Sequence, residues 1–149
     1  MVPKPIIIRP AVIADADPVF SLLVQFATSY RPERAVFNAT FPELISSPAA
    51  CLLVAEDAGE VVGYALAVKT PTLYANGPNW LLQEIMVNPS RRSEGIGSRL
   101  LRAVVHHAQA DSATEVVLAT RRAGGFYIKH GFIETASYYK LRLANLSSR

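Results

Sequence analysis

The sequence predicts one α/β domain with a mixed, mostly antiparallel central sheet of about six to seven strands, flanked by about four helices. Apolar, β-branched runs alternate with amphipathic segments in the order β-α-α-β-β-β-α-β-α-β. Three consecutive strands are separated only by turns or loops, whereas a helix separates the next two strands, and this arrangement is typical of a mixed sheet. The chain has 149 residues and is 50% apolar, so it can bury one core, and we expect a single domain over residues 1–149.

The first third of the chain predicts one strand followed by helices. Ile6–Arg9 is a β-branched run typical of a strand. Asp17 and Pro18 resemble a helix N-terminus, and apolar residues at helical spacing extend that helix to about Tyr30. Segment 31–47 holds two prolines among apolar residues, so we expect one or two short helices there.

The remaining elements follow from apolar runs bounded by turn residues. We expect strands at Cys51–Ala55, Glu60–Lys69, Trp80–Val87, Glu115–Thr120 and Phe132–Leu143, and helices at Gly95–Gln109 and Gly125–His130.

Composition excludes several classes of protein. The single cysteine, Cys51, excludes an internal disulfide framework, and with no secretory signal apparent we expect a cytoplasmic protein. The net charge of +3 is small and the basic residues are dispersed, so we expect no nucleic-acid partner and no membrane partner. The adjacent His106 and His107 point about 100° apart on a helix, and we expect no metal.

The segment Arg91–Gly97 lies between a predicted strand and a predicted helix and favours an anion site. A helix N-terminus offers unpaired N–H groups and a partial positive charge. Two glycines would let a phosphate approach the backbone closely, and two arginines add positive charge. The alternative is an ordinary helix start whose glycines only ease a turn. A Rossmann motif is excluded because Leu100 replaces its third glycine, and the Gly-Lys-Ser/Thr ending of a P-loop is absent.

Two stretches resemble signatures of the GNAT-type N-acetyltransferases. Val87-Asn88-Pro89 followed by Arg92-x-x-Gly95-x-Gly97 resembles their acetyl-CoA signature. The segment 126–132, Phe-Tyr-Ile-Lys-His-Gly-Phe, is similar to their second signature. The resemblance is strongest over residues 80–132 and weak before residue 50. It implies a GNAT-like acyl-CoA N-acyltransferase fold.

The resemblance also implies acetyl-CoA as cosubstrate. Amides of residues 92–97 would hold the pyrophosphate, and the backbone of residues 85–87 would pair with the pantetheine arm. The implied cofactor contacts are Ile85, Met86, Val87, Arg91, Arg92, Ser93, Glu94, Gly95, Ile96, Gly97, Ser98 and Lys129. Glu94 departs from the family pattern, because it would bring a negative charge beside a bound anion.

By the same resemblance, Glu84 aligns with a general base and Tyr127 with the acid that protonates the departing thiolate. Glu84 is the only acidic residue in an apolar strand, and an amine must lose a proton before it attacks a thioester. The alternatives are a structural or solvent-facing role for Glu84 and a packing role for Tyr127.

We therefore expect an acyltransferase that moves an acetyl group from acetyl-CoA to a primary amine by direct attack in a ternary complex. A coenzyme A-binding sensor or interaction module without turnover is the alternative. The acceptor is a small-molecule or peptide amine, and a homodimer is a further expectation. Substrate contacts are expected from four aromatic residues, Tyr30, Phe37, Trp80 and Tyr138.

Overall fold

The computed structural model describes residues 5–27 and 29–144, and the predicted α/β class is confirmed. The described strands are β1 (Ile7–Pro10), β2 (Ala50–Asp57), β3 (Glu60–Thr70), β4 (Asn79–Val87) and β5 (Glu115–Val117). The described α-helices are α1 (Ala16–Phe26), α2 (Arg34–Ser46), α3 (Ile96–Ala110) and α4 (Gly124–Lys129), with short 3₁₀ turns at Ile13–Asp15 and Pro89–Arg91.

The sheet keeps its strands in chain order, β1-β2-β3-β4-β5. The first four strands are antiparallel neighbours, and β5 runs parallel to β4 after the crossover through α3. Ala58 and Gly59 join β2 to β3, and both have positive φ, 51° and 84°. Two consecutive positive φ values fit the hairpin turn that matches the right-handed twist of the strands.

Helices cover both faces of this sheet. On one face, Leu100, Leu101 and Val104 of α3 are buried together with Tyr127 of α4. On the other face, residues of α1 and α2 such as Leu22 and Phe41 pack against β2 and β3. Among the described helices, none combines the length and the apolar composition that a membrane crossing needs.

The predicted last strand at Phe132–Leu143 is wrong, and the sheet has five described strands rather than six to seven. After α4 the described chain forms no strand, and from Ile133 onward its large apolar side chains are exposed, including Tyr139 at 89%. An alternating pattern forms a strand only beside a free edge of sufficient length, and β5 contributes only three residues.

Segment 31–47 forms a single helix, α2, although Pro42 lies inside it. Proline removes the hydrogen bond to the carbonyl four residues earlier, which here belongs to Asn38. Asn38 is exposed, so water can satisfy that carbonyl. The helix therefore continues through the proline to Ser46.

A charge cluster fixes the start of α1 against the sheet. Both Asp15 carboxylate oxygens accept hydrogen bonds from Arg9, at 2.8 and 2.9 Å, and one also accepts the N–H of Val12 at 2.8 Å. Arg9 Nε also donates to Glu56 of β2 at 3.0 Å. Asp15 is only 5% exposed, and the guanidinium of Arg9 holds the pKa of its carboxyl below its usual range.

Asp15→Asn should destabilise the protein by about 1–3 kcal/mol at pH 7, because an amide N–H would face the donors of Arg9. A carboxylate whose pKa is lowered by folding stabilises the native state above its unfolded pKa, near 4. That contribution is lost as the pH falls through the lowered native value. Urea unfolding at pH 7 and at pH 2–3 should therefore show the difference between the two proteins shrinking in acid.

The matched control is Asp17→Asn, because Asp17 is exposed and its ion pair among the described residues is with the exposed Arg34. It should change stability by less than about 1 kcal/mol. Equal losses from the two substitutions would contradict the role assigned to Asp15.

Candidate active site

Strands β4 and β5 separate after a short contact. They pair only between Asn79–Leu81 and Glu115–Val117, and β4 continues alone to Val87. Within the described chain, this edge of β4 has no strand partner from Leu82 onward. Its backbone groups can therefore bind an extended ligand. The three residues predicted to contact pantetheine, at 85–87, lie on this stretch.

The loop after β4 leads directly into the N-terminus of α3. The Asn88 side chain accepts the N–H of Ser90 at 3.0 Å and begins a 3₁₀ turn. Ser93 and Gly95 then take positive φ values, 69° and 80°, and α3 begins at Ile96. The N-cap residue is Gly95, which has no side chain to cap the helix, so the first N–H groups of α3 remain available to an anion.

The two glycines of this loop differ in what the fold requires. Gly95 has φ +80°, a backbone conformation that residues with a side chain rarely adopt. Gly97 lies within the helix, where a Cβ would meet Phe126 and Val87 at an ordinary 3.8 Å. Glycine in a helix costs about 1 kcal/mol relative to alanine. A turn therefore accounts for Gly95, and packing does not account for Gly97.

Arg91 and Glu94 bind each other in this loop. Arg91 Nε donates to Glu94 Oε2 at 2.9 Å, and Arg91 Nη2 pairs with Asp57 Oδ2 at 2.7 Å. Arg91 lowers the pKa of Glu94, so that carboxylate stays ionised. The negative charge expected from Glu94 is thus countered within the loop, and the side chain of Arg91 is occupied by two carboxylates. Arg92 extends along β4, with Nη2 3.8 Å from Met86 Sδ.

Tyr127 is buried in α4 and its ring packs edge-on against Phe126 and Phe132, at 5.1 and 5.6 Å. Burial raises the pKa of Tyr127, so the phenol stays protonated at neutral pH and can donate a proton. Ser98 Oγ lies 3.0 Å from His130 Nε2, and this contact joins the first turn of α3 to the end of α4. The predicted acid is thereby held on an element that contacts the start of α3, directly after the loop 91–97, and Lys129 lies on the exposed side of α4.

Glu84 and Leu82 lie on opposite faces of the sheet, although they are two positions apart, because β4 contains a bulge. Leu66 of β3 pairs with Glu84 and Ala67 pairs with Leu82, so Gln83 is the extra residue. Side chains alternate along a strand, and one extra residue reverses the alternation. Leu82 consequently packs on the α3 face, whereas Glu84 and Met86 lie on the face covered by α1 and α2.

Tyr64 is a site residue that the sequence did not reveal. Its hydroxyl donates to Glu84 Oε1 at 2.7 Å, and burial raises its pKa well above the usual range. Tyr64 is therefore a fixed donor to the predicted base. The available signal was a single hydroxyl in the otherwise apolar middle of β3, but its partner depends on the register between the two strands.

Glu84 and Tyr64 line a cavity of about 220 Å³ between the sheet and helices α1 and α2. Of the four predicted substrate contacts, Phe37 lines this cavity. Trp80 is buried on the α3 face, where its Nε1 lies 3.3 Å from Asp111 Oδ2. Tyr30 is not part of the cavity lining, and its ring lies beneath Lys140 and Arg142. Tyr138 is exposed in the C-terminal segment. The structure therefore does not bring these four residues together.

Similarity to known proteins agrees with this geometry. A family model for an acetyltransferase (GNAT) domain matches residues 48–134. The chain belongs to the GNAT acetyltransferase family. Glucosamine 6-phosphate N-acetyltransferase 1 of Oryza sativa subsp. japonica is 33% identical over a 133-residue alignment that covers 85% of this chain and 81% of the rice protein. This GNAT protein is accordingly an acyltransferase, which argues against the non-catalytic module.

Solved structures show the same fold. Glucosamine-6-phosphate N-acetyltransferase from Arabidopsis thaliana aligns with a TM-score of 0.83 at 18% identity, over 95% of this chain and all of that chain. Aminoglycoside N-acetyltransferase AAC(6')-Iy, solved in complex with CoA, aligns with a TM-score of 0.79 at 21% identity, over 95% of this chain and 98% of that chain. At these identities the likeness concerns the fold alone.

Proposed function

We propose that this GNAT protein transfers an acetyl group from acetyl-CoA to a primary amine by direct attack in a ternary complex. The observation that carries the proposal is the position of Glu84. The bulge at Gln83 places its carboxylate in a cavity beside the open edge of β4, where a thioester bound along that edge would lie. The CoA complex of the aminoglycoside enzyme, which shares the fold, supports the choice of cosubstrate.

In this proposal, the cosubstrate occupies the open edge of β4 and the N-terminus of α3. The uncapped amides and the glycines of the loop support pyrophosphate binding there. Arg92, Ser98 and Lys129 are further contacts, and Arg91 contributes its backbone amide while its side chain holds the loop closed. An N–H of β4 near Met86 polarises the thioester carbonyl.

Gly97→Ala should weaken CoA binding by at least about tenfold, because the new methyl group occupies the space through which a phosphate reaches the amides. The same substitution should leave stability unchanged or raise it by up to about 1 kcal/mol. Calorimetric titration with CoA and urea unfolding measure the two effects separately.

Gln109→Ala, at the exposed far end of α3, is the control and should alter neither quantity. Unchanged CoA affinity in folded Gly97→Ala protein would place the pyrophosphate elsewhere.

Glu84 acts as the general base, either directly or through a water molecule. An amine with a pKa near 10.4 is almost fully protonated at pH 7 and must lose its proton before it attacks. The hydrogen bond from Tyr64 fixes the carboxylate and leaves its second oxygen to accept the proton. Attack on the carbonyl carbon forms a tetrahedral intermediate, whose collapse breaks the C–S bond and releases the thiolate.

Glu84→Gln should lower turnover by about 10²–10⁴ at pH 7, because the amide has the same shape but accepts no proton. Part of the loss should return at pH 9–10, where more of the amine is already neutral. Initial rates of coenzyme A release across this pH range, with CoA affinity measured in parallel, test the prediction.

Glu43→Gln, on the exposed side of α2, is the matched control and should behave as the parent protein does. If Glu84→Gln retained the parent's turnover at pH 7, Glu84 would be structural.

Tyr127 acts as the general acid. The leaving thiolate develops negative charge, and the protonated phenol donates to it. The hydroxyl makes no hydrogen bond to another described residue, so it is free for this role. A thiol with a pKa of about 8.5, as in cysteine, leaves moderately well unaided, so the acid supplies only part of the rate.

Tyr127→Phe should lower kcat by about ten- to a thousandfold while leaving stability and acetyl-CoA affinity nearly unchanged. The ring packing stays, and the lost oxygen acts mainly in the transition state. Steady-state kinetics and calorimetry distinguish the two effects, with Tyr139→Phe in the exposed C-terminal segment as control. Weaker cofactor binding with intact kcat would make the hydroxyl a binding group instead.

The homodimer, the cytoplasmic setting and the absence of nucleic-acid partners stay predictions. The exposed apolar side chains of segment 133–143 support a homodimer formed through the C-terminal segment.

A further inference from the structure

The cavity beside Glu84 has an apolar lining with its charges at two places. Glu84 lies on the sheet side, and Glu33, which precedes α2, lies on the helix side. Between them, the described lining is aliphatic and aromatic apart from Thr40 and Tyr64. The hydroxyl of Tyr64 is already bound to Glu84. A ligand inside this cavity therefore meets mainly apolar surface, and the polar groups open to it are the two carboxylates and the hydroxyl of Thr40.

The charges of the lining favour a cation. Both charged groups in the described lining are carboxylates, and it contains no lysine, arginine or histidine. Arg34 lies near the aromatic wall, but it pairs with Asp17 and its guanidinium lies over the rings of Phe20 and Phe37 at 5.0 and 5.5 Å. A phosphate or carboxylate on the acceptor would have no cation to pair with here and would face two negative charges.

The size and walls of the cavity favour a compact apolar group. Phe37 stacks on Phe41 at 5.0 Å and meets Phe20 edge-on at 5.1 Å, which gives the cavity an aromatic side. A volume of about 220 Å³ is below the range of pockets that take drug-sized ligands. One ring or a branched alkyl chain fits this description, whereas an oligosaccharide or a long polyamine does not.

We infer that the acceptor is a small hydrophobic primary amine, an ammonium group on a short aromatic or branched aliphatic arm without an acidic group. The inference rests on the proposed function, since it assigns the acceptor of that same site. The arm lies against Phe37 and Phe41, and the ammonium pairs with Glu84, which then removes its proton.

A panel of acceptors tests this class with the full protein and acetyl-CoA. The probes are 2-phenylethylamine, isoamylamine, phenylalanine, glucosamine 6-phosphate, spermidine and a peptide with an N-terminal phenylalanine. We expect kcat/KM for 2-phenylethylamine and isoamylamine to exceed the values for the other four by about tenfold or more. Equal or faster turnover of the sugar phosphate, spermidine or the peptide overturns the inference and leaves the proposed function intact. If the protein binds CoA but acetylates no amine, both are overturned.

A charge placed in the cavity provides a second test. Thr40 lines the cavity and is exposed, so Thr40→Lys should fold and bring an ammonium group to the acceptor. The ratio of kcat/KM for 2-phenylethylamine to that for phenylalanine should fall by about tenfold or more, with CoA affinity unchanged. Ala39→Lys, on the preceding residue and outside the described lining, is the control and should keep the parent's ratio. An unchanged ratio in folded Thr40→Lys protein would place the acceptor outside this cavity.

Discussion

The extra residue in β4 determines which chemistry each face of the sheet can support. Before Gln83, the side chains of Trp80 and Leu82 pack into the core beneath α3. After it, Glu84 and Met86 face α1 and α2. Without the bulge, strict alternation would direct Glu84 to the same face as Trp80, among apolar side chains, where an unpaired carboxylate is costly. The bulge therefore allows one strand to complete the core with its first half and to line the cavity under α1 and α2 with its second half.

The position of α3 depends on its close packing against Gly63. Gly63 of β3 lies beneath this helix, and a Cβ there would meet the carbonyl of Met86 at 3.0 Å and Leu100 Cδ1 at 3.2 Å. The missing side chain lets α3 pack directly on the sheet, next to the end of β4. From that position, the amides of the first turn and the free edge of β4 border the same space. The contact between Ser98 and His130 then brings α4, and with it Tyr127, to this end of α3.

Local features of the site could be predicted from the sequence, and non-local ones could not. The loop at 91–97 and the segment at 126–132 are each one short, continuous stretch of the chain, so their residue types indicate their local structure directly. Glu84 was recognisable as the only acid in an apolar strand. Its partner Tyr64 lies on another strand, opposite a bulge, and no pattern along the chain specifies that register. Trp80 was expected at the substrate and lies in the core for the same reason, since the bulge separates its face from that of Glu84.

The C-terminal segment is a second case in which the sequence pattern alone does not determine the structure. Apolar and basic residues alternate from Tyr139 to Leu143, as in a strand, yet the described chain offers no long edge for this segment beside β5. Lys140 and Arg142 instead lie over the ring of Tyr30 and hold the segment against the chain that follows α1. Strand formation depends on a partner, and propensity alone does not provide one.

The two sides of the site also differ in how closely family membership constrains them. The open edge of β4, the loop 91–97 and α4 all lie within residues 48–134, which match the GNAT domain. Most of the cavity wall opposite Glu84 comes from α1 and α2, between Val19 and Leu44, which precede the matched region. In the proposed function the sheet side supplies the base and the contacts to the acetyl donor, whereas the helix side supplies the shape of the cavity and the second carboxylate. If the proposed function holds, substitutions on α1 and α2 should therefore change the amine that is accepted without disturbing the elements to which the acetyl donor would bind.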